Sequence, residues 1–305
     1  IDVIFISQFF SPEILNELKD KDLSRSIIIH DEVHNLPTQN VISKIEGLHK
    51  NFAYKLGLSA TVEDDFNNEK NDNLYNEIGP IIFTFGLEDA IKRGILVEFD
   101  VDFITYELTP KEKSDRKNWI VWRDRQIKQK KMPMGQIEEI FRREISKINK
   151  LAQNKINLLD NYLRDKNYLL DKCFIFALEM DYGNQIFDKL IKYTPEIKTH
   201  YDEHADKKNL EEFASGNLKC IINCKKLNEG INMKSLSNII LVSSESKRQL
   251  IQRLGRVLRI DEENNPDKRA FVLDFINDEQ KENMDGADFR RYEELNKLTK
   301  IRKSN

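Results

Sequence analysis

Short apolar runs, each long enough for one strand, alternate along this chain with stretches of helical periodicity. The runs fall at Val3–Ser7, Ser26–Asp31, Tyr54–Ser59, Pro80–Phe85, Lys172–Leu178, Ile197–Tyr201, Leu218–Asn223, Asn238–Ser244 and Arg269–Ile276. Near-continuous apolar strands are buried on both faces, the situation of parallel sheets covered by helices. The pattern therefore predicts an α/β chain with parallel sheets built from βαβ units. Helix-like segments lie near 11–20, 40–50, 67–77 and 87–93. The last, in "GLEDAIKRGILV" (86–97), has glycine near each end and the i, i+4 apolar pair Leu87 and Ile91, as a short capped helix would. "VEFDVDFITYEL" (97–108) alternates apolar and polar residues, the period of a half-buried strand.

From 109 to 167 the character changes to Lys, Arg, Glu and Gln, with Pro133 and Gly135 dividing the stretch into two helices. A helical hairpin bridging two sheet domains is expected there. A length of 305 residues accommodates two such domains. The tail after 278 reads as a charged, exposed helix. No run of about 18 apolar residues occurs, so no membrane span is expected and the cytoplasm is the expected location. The opening "IDVIFISQFF" lacks a basic n-region and reads as a buried strand, not a signal peptide. With no initiating methionine, the chain is expected to be a piece of a longer protein.

Cys173, Cys220 and Cys224 form no CxxC pair, which suits buried thiols in a reducing compartment. His200 and His204 are four apart but have no supporting ligand cluster, so they read as solvated surface. A net charge of −3 gives no global basic field, while leaving room for a local basic groove.

Four stretches carry chemistry. "IIIHDEVHNLP" (27–37) brings Asp31 and Glu32 to the end of an apolar strand, where open α/β sheets present ligands. A carboxylate there can hold Mg²⁺ through its water shell, and its neighbour can orient and deprotonate an attacking water. The bland alternative is a pair of acids that opens a loop. "KLGLSAT" (55–61) ends a second strand in Ser59 and Thr61, which could bond the first loop or simply begin a turn. "QLIQRLGRVLR" (249–259) spaces Gln252, Arg256 and Arg259 along one helix face, with Leu250, Leu254, Val257 and Leu258 opposite. Gly255 costs about 1 kcal/mol in a helix interior, which suggests a close approach that only glycine permits. "KKLNEGINMKSL" (225–236) places Gly230 in a polar loop that touches a ligand or merely turns.

The order of these stretches resembles the later motifs of superfamily 2 helicases: DExH, SAT, the strand "CFIFAL", "NEGIN", then QRxGRxxR. "NEIGPIIFTFGLEDAIKRGILVEFDV" and "SSESKRQLIQRLGRVLR" are most similar to the DEAD/DEAH-type branch of DNA-repair helicases and restriction-enzyme motors. The resemblance implies two RecA-like parallel-sheet domains, the first incomplete at its N-terminus, with ATP and Mg²⁺ between them and nucleic acid across both. It places the end of the first domain in 1–105, a helical hairpin or insertion in 106–170, the second domain in 171–280 and a helical tail in 281–305. It implies Asp31 for the metal, Glu32 for the water, and Gln252, Arg256 and Arg259 for the γ-phosphate. Glu229, Gly230 and Asn232 become the loop that senses nucleotide, and His34, Ser59 and Thr61 the coupling groups. Asn232 stands where the family usually has aspartate.

No GxxxxGK[ST] phosphate loop occurs in the sequence. The chain by itself is therefore expected to hold ATP weakly and hydrolyse it poorly. Residues 111–131 carry nine Lys/Arg against three acids, with Trp119 and Trp122. Lys111, Arg123, Lys128 and the two tryptophans are a candidate nucleic-acid surface; a solvated helix with packed tryptophans is the alternative. The implied activity is ATP-dependent translocation or unwinding, on DNA in preference to RNA. A restriction-type motor with a nuclease or methyltransferase partner, and a non-hydrolysing binding remnant, are the competing readings.

Overall fold

The structure is a computed structural model that describes residues 16–18, 21–36, 48–60, 68–201, 207–224, 235–243, 247–261 and 265–303. The expected strand Val3–Ser7 and most of the expected helices near 11–20 and 40–50 lie outside the described residues. The chain divides into two compact units, Ile1–Phe85 and Gly86–Asn305.

In the first unit, β1 (Ile27–His30) runs parallel to β2 (Tyr54–Gly57), with Ile27 opposite Tyr54 and His30 opposite Gly57. Helix α1 (Asn68–Glu77) brings Leu74 to Val33 and Leu36, and Ile28, Phe52 and Ile78 pack around them. The Lys55 ammonium donates to the Glu77 carbonyl at 2.9 Å, tying β2 to the end of this helix.

The second unit begins with α2 (Leu87–Lys92), capped by Gly86 and closed by Gly94 at φ 64°. Among the described residues its six strands are β3 (Phe99–Tyr106), β4 (Cys173–Phe176), β5 (Ile197–His200), β6 (Cys220–Asn223), β7 (Asn238–Leu241) and β8 (Ala270–Asn277). They form one sheet in the order β3-β8-β7-β4-β6-β5, every pair parallel. Alternation along β4 sends Cys173 and Ile175 to one face and Phe174 and Phe176 to the other. On the first face lie α5 (Asn154–Leu163) and α6 (Met180–Leu190), through Ile156, Leu159, Leu163, Ile186 and Leu190. On the second lie α7 (Lys207–Ala214), α8 (Lys247–Val257) and α10 (Ala287–Leu298). Burying each such aliphatic side chain contributes about 1.5–3 kcal/mol, so both faces must be covered for the sheet to persist.

Helices α3 (Pro110–Gln129) and α4 (Met134–Lys150) pack as the expected hairpin, turning at Lys130 in the left-handed region. It does not bridge two sheets: it is inserted between β3 and β4 of the second unit. The boundary accordingly falls after Phe85 and not near 105, because β3 pairs along its whole length with β8. The apolar run Pro80–Phe85 forms no strand. Ile82 and Phe83 are 82% and 78% exposed, and apolar content alone does not supply the pairing partner a strand requires.

The expected exposed tail is also corrected. After the short α9 (Asp278–Glu282), α10 buries Asp288, Arg291, Leu295 and Leu298. Arg291 Nε donates to Asp274 of β8, and its Nη2 donates to Asp288 Oδ1 at 3.2 Å and to the Phe275 carbonyl at 3.0 Å. Asp288 Oδ2 accepts from Tyr106 of β3 at 2.9 Å and from the Asn277 amide at 3.2 Å. The charges of the tail are thus a compensated buried cluster. Replacing Arg291 with Met leaves the buried Asp274 and Asp288 with only the Lys155 ammonium to offset them and is expected to cost about 3–5 kcal/mol in urea unfolding. A loss below about 1 kcal/mol, the range of an exposed pair, would show that the cluster is not what fixes α10.

Candidate functional site

β1 ends at His30, and the two acids form the turn beyond it. Glu32 has φ 48°, a left-handed conformation that is uncommon outside glycine. Two backbone bonds to the end of β2 hold it: Leu58 N–H to the His30 carbonyl at 2.8 Å and Val33 N–H to the Leu58 carbonyl at 2.9 Å. Asp31 Oδ1 accepts the Glu32 amide at 2.9 Å. Adjacent acids therefore diverge, Asp31 exposed and Glu32 half-buried.

His34, on the single turn Val33–Asn35, is 5% exposed. Its Nδ1 lies 3.2 Å from Glu32 Oε2 and 2.8 Å from Ser59 Oγ. The hydrogen bond to Ser59 ties the acidic turn to the end of the second strand, the one of the two readings left open for Ser59 that gives it a bond to this loop. Thr61 lies outside the described residues. One contributor escaped the sequence reading: a Cβ on Gly57 would sit 2.9 Å from both Val33 methyl groups. Only glycine there lets the DEVH turn lie against β2, and the glycine in "KLGLSAT" was its visible signal.

In the second unit α8 presents Gln252 and Arg256 half-buried, while Leu250, Leu254, Val257 and Leu258 are buried as the helical spacing predicts. Two expectations fail. Among the described residues a Cβ on Gly255 would meet nothing within 4 Å, so no described neighbour supplies the close approach expected there. Arg259 does not continue the helix face, because α8 ends at Val257 and Arg259 forms an antiparallel bridge with Leu96. Its backbone is held by the buried Lys268, whose ammonium donates to the Val257 carbonyl at 2.7 Å and to the Arg259 carbonyl at 2.9 Å. Arg253 was also missed: it is buried, with its guanidinium carbon 3.6 Å from the centre of the Phe176 ring. Glu229, Gly230 and Asn232 lie outside the described residues.

The hairpin holds the remaining candidates. Lys111 and Lys128 are exposed, whereas Arg123 stacks 4.5 Å over Phe141 of the facing helix and bonds Asp124 at 3.1 Å. Trp119 and Trp122 meet edge to face at 5.2 Å with planes 72° apart, so they do not offer two parallel stacking faces. Among the described residues no group of three His, Cys, Asp or Glu is placed to hold a metal. Asp31, an exposed hard-oxygen donor at a strand's carboxyl end, suits the water-mediated Mg²⁺ contact expected of it. The cysteines form no disulfide; Cys173 and Cys220 are buried, and Cys224 is only partly so.

Residues 154–261, which span α5 to Arg259 and beyond, match the helicase conserved C-terminal domain family. A DNA 3'-5' translocase XPB2 from Sulfurisphaera tokodaii is 24% identical over 82% of this chain and 58% of its own. The general transcription and DNA repair factor IIH helicase/translocase subunit XPB from Enterocytozoon bieneusi is 26% identical over 84% of this chain and 38% of its own. A solved fragment of an HsdR-type subunit of a type I restriction enzyme from Vibrio vulnificus shares the fold, with a TM-score of 0.53, 16% identity, and coverage of 91% of this chain and 48% of that one. In residues 154–261 the chain carries a helicase conserved C-terminal domain. It spans about half the length of the curated relatives it matches. Its α/β parallel-sheet fold is that of the RecA-like helicase domains. Among the described residues no helix is long and apolar enough to cross a membrane.

Lys268 fixes where α8 ends. Burial pushes its ammonium pKa down from 10.5 to about 8, while the charge of Asp261 works to raise it. The folded pKa lies below the unfolded one, so between about pH 8 and 10.5 the unfolded chain holds a proton the folded chain has released. Stability then rises with pH across that window. Lys268→Met is expected to reduce this rise, leaving the share that Lys155, likewise lowered to about 8 by burial, contributes, and to cost about 1–3 kcal/mol through the unsatisfied carbonyls. Parallel urea curves for the two proteins, taken from pH 7.5 upward, check both effects.

Proposed function

We propose that this chain is the motor core of an ATP-dependent DNA translocase or helicase. The observation that carries the reading is His34, buried, with its Nδ1 hydrogen-bonded to Ser59 Oγ and lying 3.2 Å from Glu32 Oε2. Acids that merely opened a loop would need no buried histidine joining them to the end of a neighbouring strand. The relatives described as a DNA 3'-5' translocase and as a DNA repair helicase/translocase support DNA over RNA.

On this reading Asp31 would hold Mg²⁺, which when bound would offset charge on the nucleotide phosphates, and Glu32 orients and deprotonates the attacking water. Gln252, Arg256 and Arg259 meet the γ-phosphate, where an arginine is worth about 10³–10⁵ in rate. Glu229, Gly230 and Asn232 sense the nucleotide, and His34, Ser59 and Thr61 couple hydrolysis to movement. Lys111 and Lys128, exposed on the hairpin, contact the DNA backbone, while Trp119, Trp122 and Arg123 shape the hairpin. The phosphate loop missing from this sequence leaves the chain by itself a weak ATP binder with little turnover. A restriction or defence motor with a nuclease or methyltransferase partner is a second reading, raised by the fold shared with the HsdR-type fragment.

Glu32→Gln in the complete protein tests the assignment. ATP turnover is expected to fall at least about 100-fold, the low end for losing a general base, with ATP binding largely intact. Unchanged turnover would remove Glu32 from the chemistry, and a wild-type protein that binds DNA without hydrolysing ATP would favour the remnant. Lys128→Glu is expected to weaken DNA binding for all sequences alike and to flatten the salt dependence by about one phosphate contact. An unaltered slope would take the hairpin out of the interface.

A further inference from the structure

In an open parallel sheet, ligands enter the crevice between two strands whose following connections leave for opposite faces. Here those strands are β4 and β7: the chain leaves β4 for α6 on one face, and β7 for α8 on the other. That crevice is filled from within. Ser243, buried just beyond β7, donates its amide to the Phe176 carbonyl at 3.0 Å. Its hydroxyl accepts from the Leu178 amide at 3.0 Å and donates to the Lys150 carbonyl at 2.9 Å. Lys155, fully buried, donates to the Val242 carbonyl at 3.0 Å and the Asn149 carbonyl at 2.7 Å, with its ammonium 4.3 Å from the centre of the Tyr106 ring. Lys147 pairs with Glu179, beyond β4, at 2.6 Å.

Asn149 and Lys150 are the last residues of α4, the second arm of the hairpin. The base of the hairpin therefore occupies the place that a ligand takes in other sheets of this kind. What it grips is the strand end four positions ahead of Lys247, where the helix carrying Gln252 and Arg256 begins. A core that needed only filling would place an apolar side chain at 155; an ammonium in that position is kept for the two carbonyls it joins.

We propose that Ser243 and Lys155 are positioning residues for Gln252 and Arg256: they seat the hairpin on the carboxyl end of β7, so that load on its arms reaches the start of α8. The proposal rests on the reading of α8 as the helix that meets the nucleotide. Its test uses the complete protein with Ser243→Ala and Lys155→Met. Turnover is measured with and without duplex DNA, alongside hydrogen exchange over residues 247–257. The DNA-stimulated kcat is expected to fall about tenfold while the KM for ATP and the DNA affinity change less than about twofold, with faster exchange in α8. Retention of the stimulated kcat overturns the proposal, as does a joint loss of kcat, KM and DNA binding that marks general damage. Should Lys155→Met not fold, Ser243→Ala and Lys147→Ala carry the same measurements. If the wild-type protein hydrolyses no ATP, the motor reading fails by itself. The exchange measurement then decides alone, and unchanged protection of α8 in Ser243→Ala overturns the positioning role.

Discussion

Every described strand of the second unit runs the same way, and most of the unit's architecture follows from that constraint. Parallel strands place all their carboxyl ends on one edge, so Leu178, Cys224, Ser243 and Asn277 gather there from segments far apart in sequence. Each connection must also cross a face, which forces both sides of β4 to be apolar and buries Phe174 and Phe176 opposite Cys173 and Ile175. The edge is then the place where polar groups can meet. Ser243 and Lys155 use it to bind the hairpin, and Tyr106, Asp274, Asp288 and Arg291 use the neighbouring end of β3 and β8 to bind the terminal helix.

The readable part of the sequence was what hydrophobic periodicity encodes. The five runs from Lys172 to Ile276 all became strands, because an apolar segment between helices has one place to go in a covered sheet. The short helix after Gly86 and the split at Pro133 were legible for equally local reasons, a cap and a breaker. What escaped was non-local. β3 could not be assigned to its unit from its own residues, since its partner β8 lies more than 160 positions away. The tail looked exposed because Asp288 and Arg291 read as surface charges until Asp274 and Tyr106 are seen to meet them. Pro80–Phe85 had the composition of a strand but no described neighbour to pair with.

The candidate residues divide along the same line. Asp31, Glu32, His34 and Ser59 were legible as types at the ends of apolar runs, and the structure joins three of them through one imidazole. The arginine helix was legible as an amphipathic face, but its limit at Val257 was not. That limit comes from Leu96 bridging Arg259 and from Lys268 drawing in two carbonyls, neither of which leaves a pattern in "QLIQRLGRVLR".

Two neighbouring carboxylates of similar intrinsic acidity can take different tasks only if the backbone separates their surroundings. Here the separation is made by one left-handed residue, Glu32, held by bonds from both sides to the end of β2. The conformation costs about 1–3 kcal/mol and persists only where the surroundings over-determine it. Gly57 supplies the room, since any side chain at that position would strike Val33 and push the turn off the strand. A loop-opening pair of acids would relax to an unstrained turn. Glu32 keeps this conformation with His34 buried and Asp31 turned to solvent, and that divergence is what the proposed division of metal and water between the two acids requires.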